Sequence, residues 1–195
     1  MKLPLPAPVP HLIVVVLWAM GLSQPVSAAG TAAGIDISNT ASVDYVVGGS
    51  RFSSVSNPVT FRVDEKVDVN VTGQDTGNVT VDTDTTRVLT FLLTNPGNGR
   101  DSYALSVENT LSGDQFDPVL VDVYLDADDD GLLDPALDTL YIPGTNDPAL
   151  DADASRTIFV LNAIPAGLNP GDLGYSRLIA TSKTVTGDPG TSIAD

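Results

Sequence analysis

The chain has 195 residues, no cysteine, one histidine and a formal net charge of −16, with 25 acidic against 9 basic residues. That length holds one domain with an appendage, and a negative charge of this size repels nucleic acid and anionic lipid. Lack of cysteine excludes disulfides, a thiol nucleophile and a cysteine-bound zinc.

The first element is a leader. Lys2 precedes an apolar run from Leu12 to Leu22, interrupted only by Gly21, and Val26-Ser27-Ala28 follows. The run is shorter than the ~20 residues a membrane span needs, and small residues after it suit cleavage behind Ala28. Residues 1–28 are therefore predicted to be a signal peptide. The four prolines ahead of the run fit an alternative, a retained N-terminal anchor. Cleavage also removes His11, Trp18, Met1 and Met20, and loss of Lys2 takes the formal charge to −17. No histidine base remains, and no membrane span follows.

From Ile37 onward the apolar residues recur at every second position, the period of half-buried strands. "SVDYVVGGSRF" places Val43, Tyr45 and Val47 before Gly48-Gly49, a hairpin turn signal. "VTFRVDEKVDVNV" sets Val59, Phe61, Val63, Val67, Val69 and Val71 on one parity and predicts a strand bent or split at Asp64-Glu65. "TRVLTFLLT" (86–94) is apolar on both faces, which predicts a central strand. "DSYALSV" alternates through Tyr103, Leu105 and Val107, and "VLVDVYL" through Val119, Val121, Val123 and Leu125. "LYI" (140–142), "RTIFVLNAI" (156–164) and "YSRLIATS" (175–182) complete the strands. Segments such as "TNPGNG", "GTNDP" and "PAGLNPGDLG" separate them with turn chemistry. No stretch has a capped helical period. The predicted fold is all-β: an N-terminal β-hairpin extension over 29–64, an immunoglobulin-like β-sandwich over 65–185 and a polar tail over 186–195. In "TNPGNGRDSY", Asn95, Gly97, Asn98 and Gly99 suit a corner with positive φ.

Three stretches, "NTASVDYVVGG" through "SNPVTFRVDEKV", "LTNPGNGRDSYALSV" and "IPAGLNPGDLGYSRLIATS", together resemble the bacterial secreted "conserved repeat" domains. Those are immunoglobulin-like modules of unknown function in cell-surface proteins. The resemblance implies an extracytoplasmic site, secreted or on the cell surface, and a non-enzymatic role as spacer or interaction domain. It brings no catalytic residues.

The strongest chemical motif is "YLDADDDGLLDP" (124–135). Asp126, Asp128, Asp130, Gly131 and Asp134 form D-x-D-x-D-G-x-x-D. Carboxylates at alternate positions of a curled loop converge on one point, and calcium takes 6–8 oxygen ligands. Leu132, the seventh residue, is placed to offer its carbonyl, and Asp134 to bind directly or through water. The twelfth position departs from the helix–loop–helix pattern: it is Leu137, with Asp138 one place later as a closing ligand. The expected cofactor is calcium, held weakly, with a dissociation constant on the order of 10⁻⁴–10⁻³ M. A solvated polar turn is the alternative, against which stands the repulsion of ~1 kcal/mol or more between like charges at 4 Å.

Weaker candidates are Asp151 with Asp153, and Asp82 with Asp84, which read as turns. Asn70-Val71-Thr72 and Asn78-Val79-Thr80 match a glycosylation sequon. The five tyrosines read as half-buried packing residues. Glycoside hydrolysis needs two carboxyls in a cleft, and Glu65 and Glu108 lie in or beside strands with no insertion to form one. The chain is thus expected to be a non-enzymatic structural or adhesive module whose partners are a calcium ion and a cell-surface protein or glycan. A carbohydrate-binding accessory domain is the alternative, weakened by the absence of tryptophan after cleavage.

Overall fold

The computed structural model describes residues 30–184. The leader over 1–28 and the tail over 186–195 lie outside these residues. Among them the chain is all β, and no helix is long and apolar enough to cross a membrane.

The first four strands form one extended hairpin, the arm. β1 (Asp36–Asn39) pairs antiparallel with β4 (Val59–Arg62), and β2 (Ser42–Val47) with β3 (Ser50–Val55). The tip is Gly48-Gly49, with φ of 57° and 82°. Two successive positive φ angles are what a tight two-residue hairpin turn requires, and glycine adopts them without a Cβ clash. Between the two ladders, residues 56–58 face 40–41, so one strand carries an extra residue. Ser56 bridges this break: its N–H donates to the Ala41 carbonyl at 2.8 Å, and its Oγ accepts the Ala41 N–H at 2.9 Å.

The body follows: β5 (Asn70–Gly73), β6 (Thr85–Thr94), β7 (Asp101–Glu108), β8 (Val119–Leu125), β9 (Thr139–Leu140), β10 (Ala149–Leu150), β11 (Ser155–Ile164) and β12 (Arg177–Ser182). One sheet has the order β5-β6-β11-β8-β9, and the other has β10-β7-β12. β5-β6-β11-β8 facing β7-β12 is the immunoglobulin-type order for its first six strands. The strand expected to be central, β6, pairs with β5 on one side and β11 on the other. Leu93, Val123, Leu125, Ile158 and Val160 from the first sheet meet Tyr103, Leu105, Leu150 and Leu178 from the second in one core. Burial of this apolar surface is the main driving force for the sandwich.

"VTFRVDEKVDVNV" is split: β4 ends at Arg62, β5 begins at Asn70, and the link between them runs from the arm to the body. In "VLVDVYL" the alternation holds only for Val123 and Leu125, whereas Val119 and Val121 are exposed. A bulge breaks the alternation here: Leu161 opposes Asp122 but Asn162 opposes Leu120, leaving Val121 unpaired, and Leu120 is exposed like its neighbours. Of the tyrosines, Tyr103 and Tyr141 are buried, but Tyr45 and Tyr175 are exposed.

The corner after β6 is not a positive-φ turn, since Asn95, Gly97, Asn98 and Gly99 all lie outside that region. The glycines serve close approach instead. A Cβ on Gly97 would sit 2.5 Å from the Lys66 carbonyl oxygen, and one on Gly99 would sit 2.6 Å from Glu65 Oε1. The buried Asn95 side chain donates to the carbonyls of Gly99 and Leu150 and accepts the Gly97 N–H. Asn98 accepts the Lys66 N–H at 2.7 Å and donates to the carbonyls of Thr31 and Asp64. This corner therefore fastens the root of the arm to the body.

Candidate metal centre

β8 delivers the aspartate loop. Its last residue, Leu125, is held by the core, and the next N–H, of Asp126, donates to the Thr157 carbonyl at 3.1 Å. Arg156 donates from Nη1 to the Asp126 carbonyl at 2.8 Å. Asp126 is thereby buried and fixed, although it opens a loop. Its Oδ1 accepts the Asp129 N–H at 2.7 Å and its Oδ2 the Gly131 N–H at 3.0 Å. Curling the backbone back on Asp126 needs left-handed residues, and Asp129 (φ 59°) and Gly131 (φ 74°) supply them. Asp and Gly are residues that visit this region routinely.

The result is a cluster. Asp126, Asp128 and Asp130 each place a carboxylate oxygen within 4.8 Å of the others. Oxygens sharing one calcium ion at ~2.3–2.6 Å lie at most about 5 Å apart, so these three are near the outer limit of that span. All the donors are oxygen, which suits a hard cation over zinc or copper. Each carboxylate oxygen has two lone pairs, so the N–H groups on Asp126 leave acceptor capacity for an ion. Three carboxylates supply part of a calcium shell, with carbonyls and water as the usual remainder. The cluster could hold a metal ion. The Asp128 carboxyl is raised above its ordinary pKa by partial desolvation and then by the charge of Asp130, with Asp138 and Asp126 adding to it and the Asp130 N–H opposing.

Asp134 and Asp138 hold the ends of the loop. Asp138 is buried, and its Oδ1 and Oδ2 accept the N–H groups of Ala127 at 3.0 Å and Asp134 at 2.8 Å. Asp134 caps its own turn: Oδ1 accepts the Ala136 N–H at 2.9 Å, and its carbonyl accepts those of Leu137 and Asp138. Together they tie the two ends of the loop. Neither belongs to the three-carboxylate group. Leu132 is 70% exposed, and its N–H donates to Asp130 Oδ1 at 2.8 Å.

The weaker carboxylate pairs join no group of three among the described residues. Asp151 forms an ion pair with Arg100 at 2.8 Å. Asp153 and Asp84 are turn residues with φ near 60°, and the Asp82 carbonyl accepts the Thr85 hydroxyl.

Two buried polar arrangements were not anticipated from the sequence. One is the Asn95 corner. In the other, Asp147 receives the Lys183 ammonium at 2.8 Å on Oδ2, and the Tyr141 hydroxyl at 2.7 Å and the Gly144 N–H at 3.1 Å on Oδ1. Tyr141 in turn accepts the Leu105 N–H at 2.9 Å. Burial raises the Asp147 carboxyl, but Lys183, Tyr141 and Gly144 outweigh it and hold the group below the ordinary carboxylate range. No short motif marks such partners, because they come from separate elements.

Comparison with protein-family models, with curated proteins and with solved structures finds no match for this chain.

Proposed function

We propose that this chain is an exported, non-enzymatic structural or adhesive module of a cell surface, with calcium stiffening the loop after β8. The observation that carries the metal reading is the grouping of Asp126, Asp128 and Asp130 on a loop whose curl is enforced by backbone hydrogen bonds to Asp126. The leader-like N-terminus and the resemblance to secreted "conserved repeat" modules support the location and the role.

Asp126 would provide the inner carboxylate, anchored by β8 and Arg156, while Asp128 and Asp130 would close over the ion from the solvent side. Calcium bound there would neutralise part of a cluster that otherwise repels itself. The Leu132 carbonyl and Asp134 are the nearest further donors in sequence. Asp138 would act by holding the loop ends.

Scanning calorimetry on chelator-treated protein tests this reading. Binding to the folded state alone adds RT ln(1 + [L]/Kd), about 0.4–1.4 kcal/mol at ~1 mM calcium for a Kd of ~10⁻³–10⁻⁴ M. Millimolar calcium should therefore raise the melting temperature, and magnesium should do so less, because its smaller octahedral shell is harder to satisfy. Replacing both Asp128 and Asp130 by Ala should abolish the response, and replacing Asp151 and Asp153 should not. No calcium-dependent shift at millimolar concentration would make the loop a polar turn.

A further inference from the structure

The arm carries a feature that the metal reading leaves unused. Its two faces differ in chemistry. Residues directly opposite in an antiparallel ladder share a face. In the upper ladder Tyr45 opposes Phe52, flanked on that face by Val43 and Val47. The Tyr45 and Phe52 rings are stacked, with centroids 5.4 Å apart. In the lower ladder Ile37 opposes Phe61, and Asn39 opposes Val59. Ile37, Asn39, Val43, Tyr45 and Val47 have one parity along the first strand. The extra residue between β3 and β4 changes parity on the other strand, so Phe52 falls on the same face as Val59 and Phe61. The opposite face holds Asp36, Ser38, Asp44, Val46, Ser53, Val55, Thr60 and Arg62. Among the described residues nothing covers the apolar face: Val43, Tyr45, Val47, Phe52, Val59 and Phe61 are 47–69% exposed.

A two-stranded hairpin alone is marginal in water and needs further strands or a packed face to be stable. Three properties of the arm indicate what supplies them. First, charge. The arm holds Asp36, Asp44, Arg51 and Arg62, a net charge of zero, whereas the other described residues include 21 acidic and 6 basic ones. Two copies repel through their bodies but not through their arms. Second, length. The twelve residues from Asp36 to Val47 span roughly 40 Å at ~3.3 Å each, several times the Debye length of ~8 Å at physiological salt. Arms laid antiparallel therefore keep the two acidic bodies apart. Third, area. An aromatic side chain buries 150–250 Å², so three half-exposed rings offer on the order of 100 Å² each. The aliphatic residues bring the face to roughly 500 Å² per copy. Two copies then reach about 1,000 Å², the lower bound for a specific interface.

We propose that the arm is a self-association device: two copies pack the apolar faces of their arms together, antiparallel, about a two-fold axis. The cluster of Val43, Tyr45, Val47 and Phe52 of one copy lies against Ile37, Val59 and Phe61 of the other. Such a contact is self-complementary, as a two-fold interface must be. It is independent of the metal.

Sedimentation velocity on a chain beginning at Ala29, which keeps every described residue, tests it in calcium and in chelator. A concentration-dependent monomer–dimer equilibrium should appear below about 1 mM. Replacing Tyr45 and Phe52 together by Ser, or Phe61 by Ser, should weaken the dimer by at least about 30-fold, the loss expected of central aromatic contacts. Val46→Ser and Val55→Ser, on the other face, should change it by less than about 3-fold. Because the chain has no cysteine, Ser50→Cys gives a single spin label near the tip. In the antiparallel dimer the two labels should lie roughly 40 Å apart, one arm length. A monomer at every concentration overturns the proposal, whatever else the arm binds. So do equal effects from the two faces, or labels closer than about half an arm length.

Discussion

Both carboxylate oxygens of Asp126 accept N–H groups of its own loop, whereas Asp128 and Asp130 stand exposed at the rim. The three residues should therefore respond differently to replacement. Asp126→Ala should lower stability by about 3 kcal/mol even in chelator, because two charge-assisted hydrogen bonds are lost and their donors are left unpaired. Replacing Asp128 and Asp130 should leave the chelated protein no less stable, since like-charge repulsion is relieved. Chemical denaturation in chelator distinguishes the two outcomes. Asp147 offers a pH test. Its folded pKa lies below the model-compound value of 3.8, so the unfolded chain binds this proton more readily than the folded one. The stability it contributes is then fully present above that value and is lost as pH falls through the lower, folded pKa. Asp147→Asn should lower stability near neutral pH by about 1–3 kcal/mol and flatten the acid limb of the stability curve below pH ~4. Denaturant midpoints measured between pH ~3 and 7 would show both effects.

At the scale of elements, Gly97 is a position where a single methyl group meets backbone. Gly97→Ala should cost about 1–3 kcal/mol, because its Cβ would meet the Lys66 backbone, which has no rotamer through which to yield. Thermal unfolding would register a drop of several degrees. The sequence shows the glycines of this corner but not their reason. Positive φ is a local property and leaves a local signature, whereas close approach depends on a chain segment some thirty residues away. Strand existence was legible for the same reason that the corner was not. A two-residue period is local, and it led directly to β7, as an apolar run bounded by turn residues led to β6. It misled in β8, where the alternation is broken by the bulge at Val121 and the first three residues are all exposed. The aspartate loop was legible up to Asp130, because its spacing is a consequence of its own curl. Asp134 and Asp138 fall in the same spacing but lie outside the three-carboxylate group, and they accept backbone N–H groups at the loop ends. The arm was legible as a hairpin through Gly48-Gly49. Its amphipathic faces were not, since they depend on the extra residue between β3 and β4.

On the scale of the whole molecule, the acidic excess should make the metal-free fold depend on salt. Self-repulsion destabilises a compact state and is screened by ions, so raising sodium chloride from about 0.01 to 0.5 M should increase the chelated protein's melting temperature. Calcium added at high salt should then raise it further, because the two effects act on different charges. Mass spectrometry of exported protein should find Ala29 at the N-terminus, and an intact Met1 in a membrane fraction would identify an anchor instead. The pairing registers also place the parts. β6 ends, β8 ends and β11 begins at one end of the larger sheet, so the Asn95 corner, the arm root and the aspartate loop share that end. A pull applied through the arm enters the body along residues 63–69. It meets the Asn98 hydrogen bonds to Asp64 and Lys66 first, then the Tyr103 hydroxyl on the Asp68 carbonyl at 3.1 Å, and only afterwards the β5–β6 ladder. Tension would peel this link from the body before it reached the core, lengthening the tether by a few residues while the sandwich stayed folded. The corner would then act as a mechanical fuse, and Asn98→Ala should make it yield at lower force in single-molecule stretching.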